Sequence, residues 1–151
     1  KNKNMIEIDT NSIKEIADHL ECNFRAYIHK KNGQMIFIPN EDVMPEIDMD
    51  EWNDEIKQLE NDYANYFEID KWTSREAFEM MNDFAEQLTD NKQLQSELFV
   101  ALNKKKPFRE FMFVIDDAGD YRQVWFDFRN KQQHEFVAKQ LHFLNSIDEM
   151  K

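Results

Sequence analysis

The chain has one cysteine, Cys22, two glycines and three prolines in 151 residues. A single thiol rules out an intrachain disulfide and gives no support to an oxidising compartment. So few Gly and Pro argue against a loop-rich sandwich and for long regular elements. No apolar run approaches the roughly 20 residues that span a bilayer, and no signal-peptide pattern is present. The expectation is a cytoplasmic protein with no membrane partner. A Gly-rich phosphate loop and a G-x-S-x-G elbow are both missing, so nucleotide and esterase chemistry lack their usual warrant.

Aromatics are plentiful: thirteen Phe, four Tyr and three Trp, within 41% hydrophobic residues. That is enough apolar side chain for a core at this size and excludes disorder throughout. The charge is unevenly spread. Twelve of the 31 acidic residues fall between Asn40 and Asp70, with Lys57 the one base among them. This stretch carries nearly all of the formal net charge of -12. Such a local field repels phosphate backbones and attracts basic partners.

Spacing divides the chain near Asp70. Ser12 and Glu15 have capping-box spacing ahead of a stripe of Ile13, Ile16, Ala17 and Leu20, which predicts a helix over residues 12–22. Cys22 near its end reads as core filler. Residues 24–31 and 34–38 flank Asn32-Gly33, the signature of a two-residue type I′ hairpin turn. That turn pairs Lys31 with Gln34, His29 with Ile36 and Tyr27 with Ile38. It leaves Phe24, Ala26, Ile28, Met35 and Phe37 on the core face. Residues 50–61 read as a helix led by Asp50, Glu51, Asp54 and Glu55, and residues 65–69 as a short third strand.

From Thr73 onward the period is 3.6. Thr73 and Glu76 have capping-box spacing, Asp90 or Asn91 caps the next helix, and Pro107 suits a first helical turn. Residues 110–115 read as helix, with strand as the alternative because FMFVI is rich in strand formers. Two further helical stripes follow, one of Tyr121, Val124, Trp125 and Phe128 and one from Phe136 to Leu144. The fold class expected is α+β: a small three-stranded antiparallel sheet with about five or six helices in one domain. Its hairpin-containing half is 1–70 and its mainly helical half 71–151, with one continuous core.

The strand and turn at Tyr27 to Met35, the helix at Ser74 to Phe84, Leu98 to Leu102 ahead of Pro107 to Phe111, and the pair Trp125 and Phe128, taken in that order, resemble the bacterial uncharacterised protein family 0158. An early helix leads into Tyr27-Ile28-His29-Lys30-Lys31-Asn32-Gly33-Gln34-Met35. Ser74 to Phe84 is similar to the family's serine-led MxxF helix. Leu98-Phe99-Val100-Ala101-Leu102 ahead of Pro107-Phe108-Arg109-Glu110-Phe111 is similar to its L-x-x-A-L and F-R-x-F pattern. Trp125 and Phe128 resemble the aromatic pair after it. The resemblance covers roughly residues 12–145 and brings no activity with it. By its pattern His29 stands where Asp is usual, and Lys104 to Lys106 replace a more glycine-bearing turn.

Motifs for chemistry fail on inspection. His134-Glu135 starts like a zinc-protease helix but has Ala138 at the second ligand position. His142 lies about 12 Å further along the helix, too far to share an ion with His134. An EF-hand counted from Asp48 fails at Asn53 and Leu59. Asp116, Asp117, Asp120 and Asp127 are paired only by abundance. No metal and no cofactor are expected. The basic run Lys104-Lys105-Lys106 with Arg109, Arg122 and Arg129 does not offset the overall charge, so nucleic acid is not the expected partner.

Two functional readings stand. The first is a non-catalytic interaction or regulatory domain whose acidic surface, with Asp48, Asp50, Asp54 and Glu55, meets a basic protein or a second copy of the chain. The alternative is a small enzyme or anionic-ligand-binding protein. Its pocket would lie between sheet and helices, where Tyr27, His29, Arg109 and Arg122 converge. Arginine suits a carboxylate or phosphate because its guanidinium pairs two oxygens at once.

Overall fold

A computed structural model describes residues 6–149. The chain runs α1 (Thr10–Glu21), β1 (Phe24–His29), β2 (Met35–Pro39), α2 (Asn53–Asn61), β3 (Tyr66–Ile69), α3 (Ser74–Gln87), α4 (Lys92–Leu102), α5 (Pro107–Asp116) and α6 (Tyr121–Glu149). The fold is α+β: one three-stranded antiparallel sheet in the order β2-β1-β3, and six α-helices among the described residues. Contacts divide the chain into two compact units, residues 1–71 with 134–151, and residues 72–133.

The first unit holds the sheet. Asp9 caps α1 by accepting from the Ser12 amide at 2.7 Å. The helix therefore starts before Ser12, because a carboxylate three residues upstream takes the orphan donor. Cys22 is exposed, not core filler: it is the C-cap, and Asn23 turns the chain out of the helix at φ 66°.

β1 pairs with β2 as Ile28↔Met35, Tyr27↔Ile36 and Ala26↔Phe37. The expected two-residue turn is not what closes the hairpin. A four-residue loop, Lys30 to Gly33, does so, bracketed by His29 N–H to Gln34 O at 2.8 Å and Gly33 N–H to His29 O at 3.0 Å. A type I′ turn needs positive φ at both Asn32 and Gly33, and only Gly33 has it, at 76°. Asn32 instead accepts from the Gln34 amide through its side chain at 2.8 Å. The slip is two residues, so each side chain keeps its expected face.

One face, with Ala26, Ile28 and Ile69, packs with Ile16, Ala17 and Leu20 of α1 and with Val137, Leu141 and Leu144 of α6. The opposite face is covered as well: Tyr27, Ile36, Ile38 and Tyr66 pack with Leu59 of α2 and half-buried Trp52 and Ile56. Pro39 ends β2, an edge strand, where its missing donor breaks no interior ladder.

Two side-chain amides of α6 bind backbone in this unit. Asn145 accepts from Ile6 N–H at 2.8 Å and donates to Ile6 O at 3.0 Å. Gln140 does the same for Asp70, at 2.8 and 2.9 Å.

The second unit is helical. Both halves of the Thr73–Glu76 capping box form, Asn91 caps α4, and Pro107 opens α5. Residues 110–115 are helix, not the alternative strand. Phe111 and Ile115, four apart, are both fully buried, whereas Phe113 is 62% exposed. A strand would have put all three on one face. The core is Met80, Met81, Phe84, Ala85, Leu88, Leu94, Leu98, Leu102, Phe111, Ile115 and Trp125. Val124, expected in the apolar stripe, is exposed. It precedes Trp125 by about 100° around the helix and falls outside the buried arc. The two stripes expected after Tyr121 belong to a single helix, because no Gly or Pro interrupts Tyr121–Glu149.

Candidate protein-contact surface

The acidic segment folds through its own carboxylates. Asp48 accepts from the Asp50 amide at 3.0 Å and caps a 3-10 turn, Met49–Trp52, that leads into α2. Asp50 and Glu51 occupy the first turn of the 3-10 segment, and Asp54 and Glu55 that of α2. Negative charge there complements the exposed N–H groups of a helix start. Leu59, Trp52 and Ile56 anchor the segment to the sheet, which turns the acids outward.

Asp48, Asp50 and Asp54 are exposed and Glu55 is half-buried. Among the described residues, none of Glu41, Glu46, Asp50, Glu51, Asp54, Glu55 and Glu60 forms an ion pair; Asp42 and Asp62 are the segment's paired acids before β3. Two apolar side chains stand exposed in this segment, Val43 at 54% and Tyr63 at 64%.

Tyr27 and His29 lie on β1, both buried. The ring of His29 accepts the Lys31 and Asn32 amides at Nδ1, at 3.2 and 3.4 Å. Its proton is therefore on Nε2, which donates to Asp62 Oδ2 at 2.9 Å. Asn65 donates to the other Asp62 oxygen at 2.7 Å. These hydrogen bonds, His29 foremost, hold the Asp62 carboxyl below its ordinary range.

Tyr27 sits opposite Glu68 of β3. Burial raises its hydroxyl pKa against a lowering hydrogen bond with Arg25. Burial likewise raises the Glu68 carboxyl, against the attraction of Arg25. Arg25 reaches Glu68 at 3.8 Å and Asp42 at 3.2 Å. The polar groups on this sheet face are thus engaged with one another.

Arg109 and Arg122 belong to the second unit, whereas Tyr27 and His29 belong to the first. Arg109 pairs with Glu110 at 3.2 Å and Arg122 with Asp116 at 3.1 Å, each arginine side chain more than half exposed. Arg122 also lies over the Phe126 ring, 4.9 Å from its centroid.

The sequence reading missed a groove between α4 and α5. It has a volume of about 270 Å³; Val100, Ala101, Phe113 and Val114 are its apolar lining, and Ser96, Glu97, Lys104 and Glu110 its polar lining. Val100 is 56% exposed and Phe113 62%. A signal was available: both helices carry more apolar residues than one buried stripe can use.

Among the described residues, no three His, Cys, Asp or Glu side chains gather as a metal site, and no helix is long and apolar enough to cross a membrane. Compared with known proteins, the chain matches no curated protein and no solved structure. One family model does match, over residues 3–149, and its description is Uncharacterised protein family (UPF0158).

Proposed function

The chain belongs to the uncharacterised protein family UPF0158, and we propose that it acts as a non-catalytic interaction or regulatory domain whose acidic segment receives a basic partner. The observation that carries this reading is the set of outward carboxylates without cations, on a segment that also exposes Val43 and Tyr63. Unpaired like charges held close together repel one another, which opposes the folded state. A basic partner relieves that repulsion, speeds encounter and fixes orientation. The exposed apolar pair supplies surface that a partner can dehydrate. The reading includes a cytoplasmic setting, supported by the exposed free thiol of Cys22, which a reducing compartment keeps unpaired.

The test is affinity capture from native lysate with two baits. One is the unaltered chain. The other carries Asp48→Asn, Asp50→Asn, Asp54→Asn and Glu55→Gln. Asn at position 48 still caps the turn, so the fold is kept while four charges are removed. The expected result is loss of basic proteins from the second capture. Identical captures would remove the acidic segment from the reading.

A further inference from the structure

We infer that the basic partner of the acidic segment is a second copy of this chain, docked through the groove between α4 and α5. This inference rests on the reading of the acidic segment as a contact surface and names what that surface meets.

Val100 and Phe113 stand exposed along the groove. Single exposed apolar side chains are ordinary, but two that line one groove form a dehydratable patch. Glu97 and Glu110 line the groove too, and the complementary charge stands at its Lys104 end, where the cations of the α4–α5 link gather. The groove's Lys104 begins a dense run of cations. Lys104 and Arg109 share one carboxylate, Glu110, at 3.8 and 3.2 Å. Lys105 and Lys106 are exposed, with no ion pair among the described residues. Cations at the end of an apolar groove therefore sit on one unit, and on the other a segment of carboxylates that also exposes Val43 and Tyr63.

The net charge of -12 makes two copies repel at long range. At physiological ionic strength that repulsion is screened beyond about 8 Å, while charges in contact are screened less. Local complementarity then decides the orientation. Every copy carries both surfaces, so two contacts close a pair and one at a time extends a row.

The experiment is sedimentation over about 1 to 100 μM protein at physiological salt. Three proteins are compared: the unaltered chain, a variant with Lys104→Glu, Lys105→Glu and Lys106→Glu, and a variant with Asp50→Lys, Asp54→Lys and Glu60→Lys. The unaltered chain should gain mass with concentration. Each variant alone should raise the dissociation constant about tenfold or more. Mixed in equal amounts, the two variants should associate again, because the reversed acidic surface of one now fits the reversed basic surface of the other.

Circular dichroism confirms folding. If a reversal unfolds the chain, the neutral set Lys104→Gln, Lys105→Gln and Lys106→Gln takes its place and should weaken association. Phe113→Ser should weaken it too while leaving the thermal midpoint unchanged. A chain that stays monomeric throughout, an association that neither reversal weakens, or a mixture without rescue overturns the inference. A monomer that still captures basic proteins through its acidic segment overturns this inference and leaves the contact-surface reading standing.

Discussion

Phe84 and Trp125 meet edge to face, their ring centroids 5.2 Å apart and their planes at 71°. The contact joins α3 to α6 within the second unit, and Phe111 of α5 meets the same indole at 4.8 Å. Trp125→Ala should cost about 3–5 kcal/mol by opening a cavity among these rings. Trp125→Phe should cost much less. The buried indole N–H has no hydrogen-bond partner, and removing an unsatisfied donor offsets lost volume. Urea midpoints decide it: equal losses for the two variants would contradict this account.

Asn145 supplies both hydrogen bonds of the buried Ile6 backbone. Asn145→Leu keeps similar bulk but orphans one N–H and one C=O, at about 1–3 kcal/mol each. Hydrogen exchange at Ile6 should accelerate with the loss of stability. A slow Ile6 amide in the variant would show that another acceptor had taken over.

Thr73→Ala should cost about 1 kcal/mol by removing the hydroxyl that accepts from Glu76 N–H. Thr73→Ser should restore most of it. The thermal midpoint reads both, and an Ala variant as stable as the Ser variant would mean that the cap contributes little.

Asp62 sets a pH dependence with a definite sign. His29 and then Asn65 lower its folded-state pKa below the ordinary value. The stabilisation is therefore present above the unfolded-state pKa and lost as pH falls through the folded-state one. Asp62→Ala should be less stable than the unaltered chain at neutral pH, and the gap should close in acid.

Glu68 runs the other way. Burial raises its carboxyl pKa, so its contribution favours the fold at low pH and is lost as pH rises through that raised value. Glu68→Gln should remove this part of the pH slope. Denaturation midpoints across the acid range check both residues, and parallel curves for variant and unaltered chain would contradict the assignment.

Local chemistry was legible in the sequence where it acts alone. Thr73 and Glu76, Asn91 and Pro107 mark helix starts that need only neighbouring backbone groups. The faces of β1 and β2 were readable because alternation survives a two-residue slip. The register was not, since Asn32 had a second option: its side chain could close the turn in place of a positive φ. Residues 110–115 were ambiguous because strand formers also suit a buried helix, and the alternation test needs the burial of Phe113. Of the candidate site, the outward acids followed from charge density. The engagement of His29 by Asp62, and the groove at Val100 and Phe113, depend on residues distant in sequence that no spacing reveals.

The continuous helix α6 gives the two units different histories on the ribosome. Everything the second unit packs together lies between Trp72 and Gln133. The first unit waits for Val137, Leu141 and Leu144 to close its core and for Asn145 to hold Ile6. During synthesis the sheet is therefore made first and finished last. Its apolar face has α1 alone as cover while more than sixty residues of later chain emerge. A stop shortly after Gln133 leaves every strand present and the sheet's covering incomplete, so premature termination there yields a sticky product rather than a smaller stable protein.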